Sequence, residues 1–233
     1  MCTVTIVPRT DGFRLICNRD ERRTRPQAAP PQVRRLWPRT AVFPLDPVGG
    51  GTWIGANDAG IVLALLNAQS PPSGVTVTRT PVHSRGLLIP PLLRWPDLAR
   101  VADAVVDVDP TNYQPFRLVA VQRDRGFEFA STGQPAVATA FHLGRPILFT
   151  SSSLGDVQAA RVRAPLFESM VVGAPDSWLA GQTRFHDFQF KGNSAFGIRM
   201  NRSEARTVSR SIVDIDSTHV RMEYEPLPEE TTP

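Results

Sequence analysis

Lysine is nearly missing from this chain: Lys191 is the single one in 233 residues, so the net charge of +4 and the pI near 9.8 rest on arginine. The arginines are dispersed, adjacent only at Arg22-Arg23 and Arg34-Arg35, and no basic stripe with interleaved aromatics appears, so a nucleic-acid partner is not expected. Genome composition accounts for that bias. Cysteine is scarce too: Cys2 and Cys17 are too few for a disulfide scaffold, and with four histidines they show no close metal-ligand spacing. No metal and no cofactor are expected. The longest apolar runs, Ile61 to Leu66 and Leu87 to Leu93, fall far short of the roughly 20 residues of a membrane-spanning helix. The N-terminus has no basic stretch leading into a long apolar one, which argues against a secretory signal and for the cytoplasm. Internal repeats, a Walker loop and a dinucleotide fingerprint are also missing, so nucleotide binding is not supported.

What is present suits one large globular domain: 41% of residues are hydrophobic and 21% charged. A single domain over 1–226 is expected, with a frayed acidic tail over 227–233. Prolines cluster around Pro26 to Pro38 and at Pro71 and Pro72, which reads as ordered surface loops. Thr3 to Val7 and Phe13 to Asn18 are β-prone runs separated by Asp11-Gly12, a strong hairpin signal. A second hairpin is expected from Thr52–Ala56 and Ile61–Leu66. Leu87, Leu88, Leu92 and Leu93, then Leu98, Val101, Ala102, Val105 and Val106, recur at helical spacing. Strands are expected again at Phe116–Gln122, Phe127–Ser131, Val137–His142 and Pro146–Thr150, helices at Val157–Met170 and Ser177–Phe185, and strands at Arg206–Ile215 and His219–Tyr224. This order, without regular βαβ alternation, predicts an α+β fold of antiparallel sheets covered by helices.

If Asp11-Gly12 is a two-residue turn, Thr10 pairs with Phe13, Thr3 faces Asp20 and Cys2 faces Glu21. Alternation then puts Cys2, Val4 and Ile6 on one face with Leu15, Cys17, Arg19 and Glu21. A bulge or Pro8 would shift the register by one and bring Asp20 opposite the thiol instead. In the first register a thiol, a guanidinium and a carboxylate gather at the open end of a mostly apolar face. Cys2 is small enough for aminopeptidase removal of Met1, which would leave its thiol beside its own α-amine. An α-amine has a reference pKa of about 7.7 to 8.0, so it can take the thiol proton and later protonate a leaving amine. Arg19 would favour the thiolate, while Asp20 or Glu21 would hold the new ammonium. The plainer alternative is a small hydrophobe near a terminus beside a surface ion pair. A Cys2–Cys17 disulfide is disfavoured by the non-opposed register.

Met1-Cys2-Thr3 followed by Asn18-Arg19-Asp20-Glu21 resembles the NRDE family, also called the transport and Golgi organisation protein 2 family. The likeness continues in Gly50-Gly51-Thr52-Trp53-Ile54-Gly55, in Gly60 leading to Leu66-Asn67, in Ser84-Arg85-Gly86 and in Ala205-Arg206-Thr207-Val208-Ser209. That family is similar in turn to the choloylglycine and penicillin acylases, which implies a four-layer αββα sandwich of two mostly antiparallel sheets. It also implies that Cys2 is the nucleophile, that Arg19 and Asp20 or Glu21 flank it, that Asn67 donates to the oxyanion and that Arg206 lies near the pocket. An oxyanion donor is typically worth about 2.7 to 4 kcal/mol; without the resemblance, Asn67 reads as a turn residue ending a strand. The acylases carry an asparagine where this chain has Thr150-Ser151-Ser152-Ser153. Serine has shorter reach, so Ser151 and Ser152 imply an altered oxyanion hole or a different substrate.

The leading expectation is therefore hydrolysis of a non-peptide amide through a thioester on Cys2, with a small-molecule substrate. Gly51, Thr52 and Trp53 would wall the pocket, although Trp53 serves equally well as core packing. The alternative is a non-catalytic module on the same fold that binds or carries a small molecule, with haem and lipid implied by the family resemblance.

Overall fold

In the computed structural model, which describes residues 2–69, 82–132, 135–173, 175–190 and 194–229, the first two β-prone runs pair as an antiparallel hairpin, β1 (Cys2–Arg9) and β2 (Gly12–Arg22). The turn is Thr10-Asp11, not Asp11-Gly12. Arg9 pairs with Gly12, and Cys2 pairs with Arg19 rather than Glu21. Gly12 is used for closeness rather than for a positive φ: a Cβ there would lie 1.9 Å from the Ile215 carbonyl oxygen. The offset from the expected register is two residues, so every side chain keeps its expected face while its partner changes.

The Pro-rich stretch after β2, expected as loop, forms a hairpin of β3 (Ala29–Leu36) and β4 (Arg39–Leu45). β3 lies at a sheet edge, where a missing N–H costs no ladder bond, and its register is irregular between Ala29 and Gln32, where Pro30 and Pro31 sit. The next hairpin is β5 (Ile54–Asn57) with β6 (Val62–Asn67), near its expected place. Pro71 and Pro72 lie outside the described residues.

The helical spacing after Ser84 yields a 3₁₀ turn over Arg85–Leu88, α1 (Ile89–Leu92) and α2 (Leu98–Val106). Asp97 caps α2 by accepting from the Arg100 N–H at 2.9 Å, and Leu98, Val101 and Val105 turn inward. Four strands follow: β7 (Phe116–Gln122), β8 (Arg125–Ser131), β9 (Val137–His142) and β10 (Ile147–Thr150). Next come α3 (Asp156–Phe167), continued by a π turn over Glu168–Val172, and α4 (Trp178–Asp187). β11 (Ala205–Ile215) and β12 (Val220–Pro226) complete the described elements.

The chain divides into two compact units. The first joins both ends of the sequence, Met1–Gln27 and Leu143–Pro233, around a five-stranded antiparallel sheet of order β10-β1-β2-β11-β12 with α3 and α4 against it. The second, Ala28–His142, is a seven-stranded antiparallel meander in sequence order, β3 to β9, with α1 and α2 on it. Its core is apolar, built from such residues as Leu63, Phe116, Leu118, Phe129, Ile89 and Leu93. Among the described residues, two antiparallel sheets with four α-helices make up the expected α+β class. No helix among the described residues is long and apolar enough to cross a membrane.

Residues 227–229, expected in a frayed tail, are tied down: the Leu227 N–H donates to Val208, and Glu229 meets Arg23 at 3.3 Å. Residues 230–233 lie outside the described residues.

Candidate active site at the start of the first strand

Register across three strands puts Cys2 (β1), Arg19 (β2) and Ser209 (β11) in one row and Val4, Cys17 and Ser211 in the next. Directly opposed residues project to the same side of a sheet, so one face carries Cys2, Cys17, Arg19, Glu21, Ser209 and Ser211. Cys2, Cys17, Arg19 and both serines are buried. The row depends on an irregularity in β11: register shifts between Thr207 and Ser209. This bulge lets Thr207 oppose Asp20 on the reverse face while Ser209 opposes Arg19 on the Cys2 face.

The carboxylates separate accordingly. Asp20 is buried on the reverse face and accepts from the Thr207 hydroxyl at 2.7 Å. Burial pushes its pKa up, against the pull of Arg163. Glu21, on the Cys2 face, meets the Arg19 guanidinium at 3.5 Å and Arg25 at 3.5 Å. Neither faces the thiol directly; Arg19 does.

The Cys2 nitrogen donates to the Ser151 hydroxyl at 3.1 Å, and the Ser151 N–H donates to the Cys2 carbonyl at 3.0 Å. Ser151, fully buried just past β10, therefore brackets the backbone of Cys2. The Cys2 thiol is lowered by a hydrogen bond from Cys17, against the opposing effect of burial, and the Arg19 charge also lowers it. Cys17 is pushed well up by that bond and by burial, so it remains a protonated donor.

Ser152 turns elsewhere: its hydroxyl accepts from Arg202 at 3.1 Å and its N–H donates to Asp156 at 2.8 Å. Arg206, opposite Glu21 in β11, gives its guanidinium to the Leu227 and Pro228 carbonyls, both at 3.0 Å, and ties down the segment after β12.

The remaining expected residues belong to the second unit. Asn67 ends β6 opposite Phe116. Thr52 bonds its hydroxyl to the Ile54 carbonyl at 2.8 Å, and its N–H reaches Gly86 at 3.0 Å. Trp53 is buried, and its carbonyl accepts from Leu65 at 2.8 Å. Gly51 approaches so closely that a Cβ would meet the Gly86 carbonyl carbon at 2.2 Å, so two of the sequence motifs, Gly50–Gly55 and Ser84–Gly86, pack on each other.

Sequence reasoning missed the support behind Cys2. Arg163, fully buried on α3, donates to the hydroxyls of Thr3 (2.9 Å) and Thr150 and to the Phe196 and Gly197 carbonyls at 3.1 and 3.0 Å. It thereby clamps β1 to β10 one residue from Cys2 and Ser151. The inward stripe of α3, Ala159, Arg163 and Phe167, is regular, but nothing local marks its arginine as the buried one. Among the described residues no cluster of three or more histidine, cysteine or acidic side chains has a metal-holding arrangement.

Residues 1–162 match the family model described as Transport and Golgi organisation 2. No curated protein matches the chain. Of the solved structures, the Caenorhabditis elegans ortholog of N-acylethanolamine-hydrolyzing acid amidase is similar at 10% identity, covering 97% of this chain and 100% of that one with a TM-score of 0.63. Penicillin V acylase from Agrobacterium tumefaciens follows at 10% identity, 97% and 86% coverage and a TM-score of 0.58. The mutant C2A conjugated bile acid hydrolase from Clostridium perfringens is similar at 10% identity over 100% of this chain and 98% of that one, with a TM-score of 0.50. These likenesses show the N-terminal-nucleophile hydrolase fold.

Proposed function

Since the chain belongs to the Transport and Golgi organisation 2 family, we propose that it is an amidohydrolase for a small non-peptide amide, with Cys2 as the nucleophile once Met1 has been removed. The observation that carries this reading is the Ser151 hydroxyl at 3.1 Å from the Cys2 nitrogen, on a residue whose thiol stands in one row with Arg19. Processing would turn that nitrogen into an α-amine already held in place. The amine takes the thiol proton, and the Arg19 charge favours the thiolate. Sulfur attacks the amide carbonyl, the ammonium protonates the departing amine, and a thioester remains on Cys2. Water, deprotonated by the same amine, then releases the acid and restores the thiol. The resemblance assigns the oxyanion to Asn67; attack and both proton transfers use groups of the first unit alone. The similar solved structures include enzymes that act on N-acylethanolamines, penicillin V and conjugated bile acids, which favours an acyl amide as the substrate class.

Intact mass spectrometry tests the reading. Purified protein should lack Met1, and an acyl-anilide or activated-ester probe should add one acyl group to the N-terminal peptide and none to Cys2→Ala. Retained Met1, or equal labelling of the variant, would overturn it.

A further inference from the structure

Cys17 has no task in the hydrolytic cycle, yet the fold brings it diagonally beside the nucleophile on the same face. The expected register would have put it opposite Ile6; the observed one puts it opposite Val4, diagonal to Cys2 on the same face. Both thiols are free and buried. In β11, Ser211 lies directly opposite Cys17, fully buried, with no hydrogen-bond partner for its hydroxyl among the described residues. Three groups able to donate or accept a proton thus lie side by side across β1, β2 and β11, where an apolar strand face would need none of them.

We propose that Cys17 is a positioning residue for the nucleophile: its thiol donates to the Cys2 sulfur and holds it as the thiolate, while Ser211 receives the Cys17 S–H when Cys2 is acylated. The proposal rests on the reading of Cys2 as nucleophile. A thiolate accepts this bond strongly and a thioester sulfur poorly, so the Cys17 proton needs a second acceptor during turnover, and Ser211 stands on the other side of it. Cys17 keeps its own proton throughout. Its raised pKa, set by the bond to Cys2 and by burial, suits a permanent donor. A bonded thiolate is individually less nucleophilic, but near neutral pH its larger population outweighs that loss.

The test is the pH dependence of Cys2 alkylation by iodoacetamide, read by mass spectrometry of the N-terminal peptide in protein lacking Met1. In that protein the charged groups around Cys2 are the amine freed by loss of Met1, Arg19 and Glu21 on its face, and Asp20, Arg163 and Arg202 behind it. Cys17→Ala leaves them all in place. It should move the alkylation midpoint upward by about one to two pH units, whereas Cys17→Ser, which retains a donor, should stay near the unsubstituted protein. Superimposable profiles for Cys17→Ala and the unsubstituted protein would overturn the proposal. An equal shift in Cys17→Ser would overturn it too, because a purely steric role cannot distinguish serine as a rescuer. Alkylation requires no turnover, so a shifted profile in a protein that fails to cleave any amide would refute the hydrolase reading, and with it the role of Ser211, while the Cys17-to-Cys2 bond would stand.

Discussion

The two units solve the interior of an antiparallel sheet in opposite ways. In the second, the faces of β6, β7 and α2 meet through Leu63, Leu118, Phe116, Val101 and Val105, and buried polar side chains such as Asp46 and Asn57 serve turns and loop ends. In the first, the helix-facing side of β1 and β2 presents Thr3, Thr5, Asn18 and Asp20, which meet Arg163, Gln182 and His186 from α3 and α4. Beside them on the helix side lie buried Ile16 and an apolar cluster of Val7, Phe167, Val171, Phe185 and Ile198. Hydrophobic contacts are non-directional, whereas hydrogen bonds fix angles. The hydrogen bonds of the first unit accordingly fix how β1 lies beneath Cys2. The interior of that unit is not fully compensated: Asn18 Oδ1, Gln182 Oε1 and His186 Nδ1 are buried with no hydrogen-bond partner among the described residues.

Breaking the polar interior should have the largest effect. Arg163→Met removes a donor from the Thr3 and Thr150 hydroxyls and from two carbonyls, and removes the largest favourable charge acting on Asp20, so a loss of about 3–5 kcal/mol is expected. Urea unfolding measures it, and the alkylation profile of Cys2 should shift as well, since β1 loses its clamp. Leu63→Ala in the second unit sharpens the contrast. Its cavity should cost about 2–5 kcal/mol, yet the Cys2 profile should be unchanged. A shifted profile in Leu63→Ala would erase the distinction between the units.

The last effect concerns pH and vanishes near neutrality. His186 is fully buried, with Nε2 2.8 Å from the Thr5 hydroxyl, and burial, with the Arg210 and Arg163 charges, pushes it down to about 3. Its unfolded pKa is about 6.5. On acidification the unfolded chain therefore binds this proton first. The His186 contribution is complete above pH 6.5 and is lost as pH falls toward about 3, at up to about 1.4 kcal/mol per pH unit. His186→Gln should show a shallower loss of stability over that window than the unsubstituted protein. Parallel curves would mean that His186 already titrates normally in the fold.

Much of this architecture could be read directly from periodicity. Phe116–Gln122 and Val137–His142 emerge with the expected bounds because strict alternation or a β-branched run leaves few alternatives. β3 was hidden because proline is a poor strand former everywhere except at an edge, and edge position is a property of the sheet, not of the segment. Within the candidate site, Cys2, Arg19 and Ser151 stand together in the first unit, while Asp20 turns to the reverse face. Arg163 and Arg202 were unreadable because a buried arginine is recognisable only through the acceptors that surround it, and those come from segments far along the chain.

By itself, the sequence determined which residues share a face. The two-residue period of a strand makes Cys2, Cys17, Arg19 and Glu21 companions under any even shift of register. Which of them stand side by side was decided by tertiary structure. The close approach of the Ile215 carbonyl to Gly12 accompanies a hairpin turn at Thr10-Asp11, and the bulge after Thr207 sends Asp20 and Ser209 to opposite sides. Local pattern carries parity, but absolute offset depends on which distant backbone comes within contact distance.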